Sequence, residues 1–400
     1  MKITSSAVRK ACISYFFLRY ASRTNLKTMS PSNDIICDER GGFLLDELIA
    51  QLSSSSESTI INNPYQSTFV TCNIIAIICF LISSFTGNFS QVDKLWSIVP
   101  AIYAWMCITD TRTKLMAFLT TLWSVRLTYN FYRRGGYDGC PCNLFGGEED
   151  YRWEILRRGT LGGWWTLLTN KFILSVFNLV FISFYQNWLL LYIASPSLVA
   201  WSMAMKRTHC DIDDGLQASS SSLNVFDRIA ALIFVFALCI ESMADNQQLQ
   251  FQNRKRSNFI FMHALSAVSG TDGLASATKK IAATTAENNK DVMDGFCQSG
   301  LFAIVRKPNY AAEQLIWISY YLFSVAATWP QSLGTMSWVN WSMGGFILLC
   351  LLFQGSGWLT EQISSSRYPA YRDYQRRVPL YMPKMTTLCN LLIGKGGKVH

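Results

Sequence analysis

Long apolar runs alternate with polar interruptions between residues 67 and 358. Seven apolar segments stand out, near 67–87, 94–110, 114–132, 170–195, 225–245, 310–329 and 338–358. Runs of about 20 nearly uncharged residues match the thickness of a bilayer's hydrocarbon layer. The pattern predicts an all-α, polytopic membrane protein with about seven transmembrane helices. Gln186 and Asn187 interrupt the fourth segment and Pro196 follows it, so it reads either as one tilted helix or as two shorter ones.

The flanks have a different character. Residues 1–33 hold six basic side chains and no acidic one, with many Ser and Thr. That is the composition of an organelle transit peptide, or alternatively of a disordered basic tail. Residues 30–64 are polar, with a Ser53–Ser56 tract, and read as a linker. The organisation is thus a basic leader and linker over 1–64, a membrane domain over 65–385 with a polar insertion at 257–295, and a tail over 386–400.

Composition supports the membrane reading. Half of the residues are hydrophobic and only 15% are charged, against about 25% in soluble domains. The net charge of +9 would suggest nucleic acid in a soluble protein. Here Lys and Arg gather in loops beside apolar segments, as in Arg133-Arg134, Arg254-Lys255-Arg256 and the tail after Arg367, which is a topology signal. It puts the C-terminus in the cytosol or an organelle matrix. Cys72, Cys79, Cys239 and Cys350 lie in apolar runs, where Cys behaves as a small hydrophobe. Cys140-Pro141-Cys142 has no neighbouring His and the chain has three His in all, so no metal site is expected.

Four polar clusters interrupt the bundle and supply the candidate chemistry. Glu241 and Asp245 are four residues apart and share a helix face. Arg306-Lys307-Pro308-Asn309-Tyr310 precedes an apolar helix in which Asn309 and Glu313 share a face below Trp317. Pro308 suits a first helical turn, and the N–H groups of such a turn can receive an anion. Beyond the last apolar segment, Tyr368, Tyr371 and Tyr374 recur at helical spacing among Arg372 and Arg376, a pattern suited to stacking a planar ring and gripping phosphate. Glu148 to Trp153 forms the fourth cluster. Aromatic and basic anchors at a membrane surface are the bland alternative for each. Together they describe a polar chamber open to a lipid-soluble substrate.

Seven stretches, in order, carry a resemblance: VDKLWSIVPAIYAW (92–105), LWSVRLTYNFYRRGG (122–136), EEDYRWEILRR (148–158), FYQNWLLLYIASP (184–196), ADNQQLQF (244–251), GLFAIVRKPNYAAE (300–313) and YPAYRDYQRRVPLYMP (368–383). They resemble the DUF1295 branch of the steroid 5α-reductase superfamily. The resemblance implies a seven-helix membrane enzyme, most often of the endoplasmic reticulum, with mitochondrion or plastid kept open by the leader. It implies reduction, with NADPH, of a carbon–carbon double bond conjugated to a carbonyl in a steroid or other lipid. Asp245, Arg306, Asn309, Tyr310, Glu361, Arg372 and Tyr374 would then be cofactor contacts. Asp93 and Tyr103 are the candidate catalytic residues, with Tyr129 a further candidate donor and Lys94 beside Asp93. The implied partners are a lipid or steroid-like substrate and membrane lipids, with no nucleic acid.

One departure stands in this pattern. The family commonly has Arg-His-Pro-Asn-Tyr where this chain has Lys307, which keeps positive charge but loses a ring that titrates near neutral pH. No Gly-x-Gly-x-x-Gly fingerprint of a dinucleotide fold is present. Two other readings remain. One is an S-adenosylmethionine-dependent methyltransferase of the isoprenylcysteine carboxyl methyltransferase type, which Lys307 and the single Glu361-Gln362 disfavour. The other is a non-catalytic lipid-binding membrane protein. Of two glycosylation sequons, Asn88 is expected to stay bare, and Asn340 is expected too close to the membrane to be an efficient acceptor.

Overall fold

The computed structural model describes residues 63–137, 149–159, 162–213, 223–268, 290–329 and 338–384, and among them it is helical throughout, with no strand. The first apolar segment is helix α1 (Pro64–Thr86), started by Asn63, whose side chain accepts from the Tyr65 N–H, and closed by Gly87 in the left-handed conformation at φ 68°. Both ends follow ordinary capping chemistry.

The second segment is not one helix. It divides into α2 (Gln91–Trp96) and α3 (Val99–Met106). Pro100 sits at the start of α3, where its missing N–H costs nothing. Eight residues rise only about 12 Å, so α3 alone cannot match the hydrocarbon thickness. Helix α4 (Thr111–Arg133) starts at a capping box in which Asp110 and Thr113 satisfy each other's backbone. A short α5 (Tyr151–Arg157) and a 3₁₀ turn (Gly163–Thr169) follow.

The fourth segment is a continuous helical path through the buried Gln186 and Asn187. It consists of α6 (Lys171–Phe177), a π-helical stretch (Asn178–Tyr185) and α7 (Gln186–Ala194). Pro196 then begins a further helix, α8 (Pro196–Asp213). Helix α9 (Val225–Val268) is 44 residues long, roughly 66 Å. It does not stop near 245 as the apolar pattern suggests, and the first part of the supposed surface insertion at 257–295 continues it. Helices α10 (Lys290–Asp294), α11 (Pro308–Thr328), α12 (Met343–Arg367) and α13 (Tyr371–Arg377) complete the order.

Three helical stretches are long and apolar enough to cross a membrane: Pro64–Thr86, Lys171–Ala194 and Met343–Arg367. Between 22% and 39% of each apolar window is buried in the protein, so most of each faces outward. Phe69, Ile74, Ile77, Ile78, Leu81 and Phe85 of α1 are exposed, as are Leu122 and Val125 of α4 and Leu232 and Phe236 of α9. Outward apolar faces of this extent mark contact with another apolar phase.

Helix ends fall into two groups. The starts of α1, α4, α8 and α9 meet the ends of α3 and α11: Tyr65 Oη donates to the Leu198 carbonyl and packs with Cys107, Arg112 pairs with Asp227, and Asn224 Nδ2 donates to the Ala326 carbonyl at 2.9 Å. The opposite group joins the ends of α1, α4 and α12 to the starts of α3 and α11. There, Arg157 bonds the Gly87 carbonyl, Ser97 Oγ lies 2.8 Å from Thr128 Oγ1, and Arg306 pairs with Glu361. Successive long helices therefore alternate in direction. The core between them holds Trp123, Tyr103, Met116, Ile182, Leu190, Phe234, Trp317 and Phe323.

Candidate functional site

Two polar networks lie at the second group of helix ends. The first joins α4, α9 and α11. Arg126, Asn130 and Arg134 stand at four-residue intervals on α4, and Glu241 and Asp245 stand four apart on α9. Arg126 Nη1 donates to Asp245 Oδ2 at 2.7 Å, and Asn130 Nδ2 reaches the same oxygen at 2.7 Å. Arg134 Nη2 holds Asp245 Oδ1 at 3.2 Å. The other nitrogen of Arg126, Nη2, forms an ion pair with Glu241 Oε2 at 2.8 Å and lies 3.7 Å from Glu313 Oε2. Glu313 on α11 also takes two indole N–H groups at 2.9 Å, from Trp123 and from Trp317.

All three carboxylates are buried. Burying a charge is tolerable only when it is paired and hydrogen-bonded, and here one buried guanidinium serves three acids, with the half-exposed Arg134 as second cation. The network thus has more carboxylate than guanidinium, and the apolar bundle closes around it.

The second network gathers the chain before α11, the end of α12 and all of α13. Arg306 Nη2 pairs with Glu361 Oε2 at 2.9 Å, and Arg306 Nη1 donates to the carbonyls of Gln375 and Val378. The backbone N–H groups of Arg306 and Lys307 bond the carbonyls of Pro379 and Leu380. Tyr371 Oη donates to Glu361 Oε1 at 2.6 Å, and Gln375 Nε2 to Glu361 Oε2 at 2.9 Å. Tyr374 Oη donates to the Phe302 carbonyl at 2.6 Å. Burial, with Glu361 beside it, pushes the Tyr371 phenol well up, and burial does the same to Tyr374.

Several sequence expectations change here. Tyr371 and Tyr374 do not present open faces to a ring, because both pack on Phe296, with centroids 4.9 and 5.3 Å away. Tyr368 instead takes Lys255, whose Nζ lies 2.9 Å from its hydroxyl. Arg306, Glu361 and Tyr374 are held by protein groups, so their direct effect is to fix α13 against the mouth of α11. Arg372 is exposed and lines a shallow open groove of about 410 Å³ with Gln362, Ser365, Gln375 and Arg376. Tyr129 points outward, 61% exposed, and Arg133 sits over its ring, so it is no donor to an interior site.

Pro308 occupies the first turn of α11, and no side chain caps that helix. Asn309 is half-buried there, and its side chain has no hydrogen-bond partner among the described residues. Tyr310 Oη is 3.5 Å from Ser356 Oγ, and Lys307 Nζ is 5.8 Å from the Tyr310 ring. Asp93 and Tyr103 are given different partners. Asp93 Oδ2 accepts from Trp153 Nε1 at 3.3 Å, whereas Tyr103 lies buried in α3 beside Cys72. The buried Lys94 places Nζ 3.5 Å from Gln91 Oε1. Cys140 and Cys142 lie outside the described residues. Among the described residues no three His, Cys, Asp or Glu side chains are grouped as metal ligands.

Arg126, Asn130 and Trp123 were missed by reading the sequence for sites, although a signal was present. Polar residues at 126, 130 and 134 on one face of an otherwise apolar helix demand polar partners, and Glu241 and Asp245 repeat the same spacing.

Comparison with known proteins bears on the whole bundle. The profile of a family described as protein of unknown function (DUF1295) matches residues 79–378. An uncharacterized protein of Schizosaccharomyces pombe is 31% identical over 331 residues, covering 81% of this chain and 80% of that one. No solved structure matches. The match spans the side chains of both polar networks, and the chain belongs to the DUF1295 family.

Proposed function

We propose that the protein is a seven-crossing membrane reductase that uses NADPH to reduce a carbon–carbon double bond conjugated to a carbonyl in a lipid. The alternating helix directions support seven crossings, with α2–α3 as the second and the α6–α7 path as the fourth. The observation that carries the reading is the mouth of α11. An uncapped helix N-terminus, a half-buried Asn309 amide without a partner among the described residues and the cation Lys307 meet there. N–H groups and positive charge at a helix start favour a phosphate-bearing ligand.

In this reading Asn309 and Tyr310 contact the cofactor, and Arg372 on the open groove meets a phosphate. Asp245 and Glu313 supply carboxylate oxygens from the first network. Arg306, Glu361 and Tyr374 act by positioning, because they lock α13 beside the mouth. Bound NADPH supplies a hydride to the β-carbon of the substrate. The chain excludes water from that step with its apolar walls, and a hydroxyl held at the carbonyl oxygen stabilises the charge that develops there. Tyr103 is the buried hydroxyl best shielded from solvent among the expected donors. The endoplasmic reticulum is the proposed membrane, and a neutral lipid the proposed substrate.

The test is thermal unfolding of the full chain in detergent, with NADPH and S-adenosylmethionine in parallel. NADPH alone should raise Tm. Asn309→Ala should weaken NADPH binding by about 1–3 kcal/mol at unchanged Tm without cofactor. A rise with S-adenosylmethionine alone would turn the reading to methyl transfer. No rise with either, together with an unaltered lipid profile in a deletion strain, would leave a non-catalytic lipid-binding protein.

A further inference from the structure

Helix α12, long and apolar enough to cross a membrane, carries an amide that the chain itself does not answer. Ile347, Leu351, Gln354 and Trp358 are all exposed. They follow one another at spacings of four, three and four residues, so they form one seam on the outer side of the helix. Ile347, Leu351 and Trp358 are large and apolar. Gln354 stands near the midpoint of Met343–Arg367, about 16 Å from its start, which is the middle of a hydrocarbon layer about 30 Å thick. Its side chain has no hydrogen-bond partner among the described residues. Asn73 on α1 shows the usual remedy. There Nδ2 donates to the Phe69 carbonyl at 2.8 Å, and Oδ1 accepts from Trp188 Nε1 at 3.2 Å. An amide left open to lipid is costly, because no water is present to bond it.

We infer that α12 pairs with α12 of a second copy of this chain along this seam, with Gln354 against Gln354. A seam of this spacing is the surface one helix offers to another, and a single polar residue within it fixes register and partner number. A primary amide both donates and accepts, so two of them satisfy each other without a third group. An acyl chain offers neither donor nor acceptor. The chemistry also favours a second copy over an unrelated helix. Copies inserted with one topology present Gln354 at one depth, and a twofold axis along the membrane normal sets the two amides face to face. No charge lies in the seam, so like copies do not repel there. The seam includes no residue of either polar network, and the inference does not depend on the reductase reading.

Energy transfer between donor-labelled and acceptor-labelled full chains in lipid vesicles tests it, titrated over the protein-to-lipid ratio. The wild type should show saturable pairing as the ratio rises. Gln354→Leu should weaken pairing about tenfold, the scale of an amide hydrogen bond between membrane helices, at unchanged Tm. Under mild oxidation, Leu351→Cys should form an intermolecular disulfide beyond any seen with the native cysteines. Leu232→Cys, on the exposed face of α9, should not. A chain that stays monomeric at every ratio, with Gln354 facing only lipid, would overturn the proposal. So would pairing that Gln354→Leu leaves unaltered, or the absence of a Leu351→Cys cross-link. If Gln354→Leu does not fold, wild-type pairing and the two cysteine variants decide alone.

Discussion

Arg112 and Asp227 form a fully buried two-pronged ion pair, Nε to Oδ1 at 2.7 Å and Nη2 to Oδ2 at 2.8 Å, across 115 residues of sequence. Asn130 and Asp245 meet across the same 115 residues, and Arg126 and Glu241 share that offset. Helices α4 and α9 therefore run parallel in one register, clasped by ionic pairs near both ends of α4. Each pair is costly to bury and costly to break. Asp227 is further tied into the start of α9, where the backbone N–H of Asn224 donates to Oδ2 and Asn224 Oδ1 accepts from the Asp227 N–H.

Breaking the first clasp should be severe. Arg112→Ala leaves Asp227 charged and buried, with an expected loss of about 3–5 kcal/mol. The double variant Arg112→Met with Asp227→Leu removes both charges, and should recover much of that loss. Chemical denaturation in detergent measures both, and a double variant as unstable as the single one would contradict the account.

At the second clasp, Arg126 serves three carboxylates. Arg126→Met should destabilise by at least as much as Arg112→Ala, because three acids lose their shared cation. Glu241→Gln should be tolerated far better, since it removes one of the three carboxylates that share this guanidinium and keeps the shape of the side chain. Midpoints of thermal unfolding for the two variants check the order.

Gly345 and Gly355 make a matched pair on α12. A Cβ at Gly345 would collide with the Tyr192 carbonyl oxygen, a backbone atom that cannot swing aside, whereas at Gly355 nothing lies within 4 Å. Gly345→Ala should cost roughly 1–3 kcal/mol by overpacking α12 against α7. Gly355→Ala should be neutral or slightly stabilising, because alanine suits a helix better. Equal effects at the two sites would rule out this close helix contact.

Stability should also fall in alkali. Burial, helped by the nearby Asp291, pushes the Cys297 thiol up to about 11, against hydrogen bonds from Ser299 that lower it. Folding holds this proton more tightly than the unfolded chain does. The stabilisation is full below about pH 9, the unfolded thiol's range, and is lost as pH rises toward 11. Cys297→Ala should flatten the pH dependence in that window, as followed by unfolding midpoints from pH 8 to 11. Wild-type Cys297 should also resist alkylation at pH 8.

Asn340 illustrates how far sequence reasoning reached. Its sequon is legible, and so is its nearness to an apolar segment. That its amide donates to Ser324 Oγ while its Oδ1 accepts from Ser342 became legible only with the fold. Pro308 marks a helix start by local chemistry, and α11 begins there.

By itself the amino-acid order determined that this chain is helical and apolar, where most of its helices lie, and which polar residues would need a use, because periodicity, capping and hydrophobic length are local properties. Tertiary structure alone decided who answers whom. Arg126 between Glu241, Asp245 and Glu313, Glu361 between Arg306 and Tyr371, and Tyr103 against Cys72 are outcomes of helix register across a hundred residues or more in the first case, and of packing in the others. Local signals do not specify that register. It emerges when buried charges and close-packed faces must all be satisfied at once.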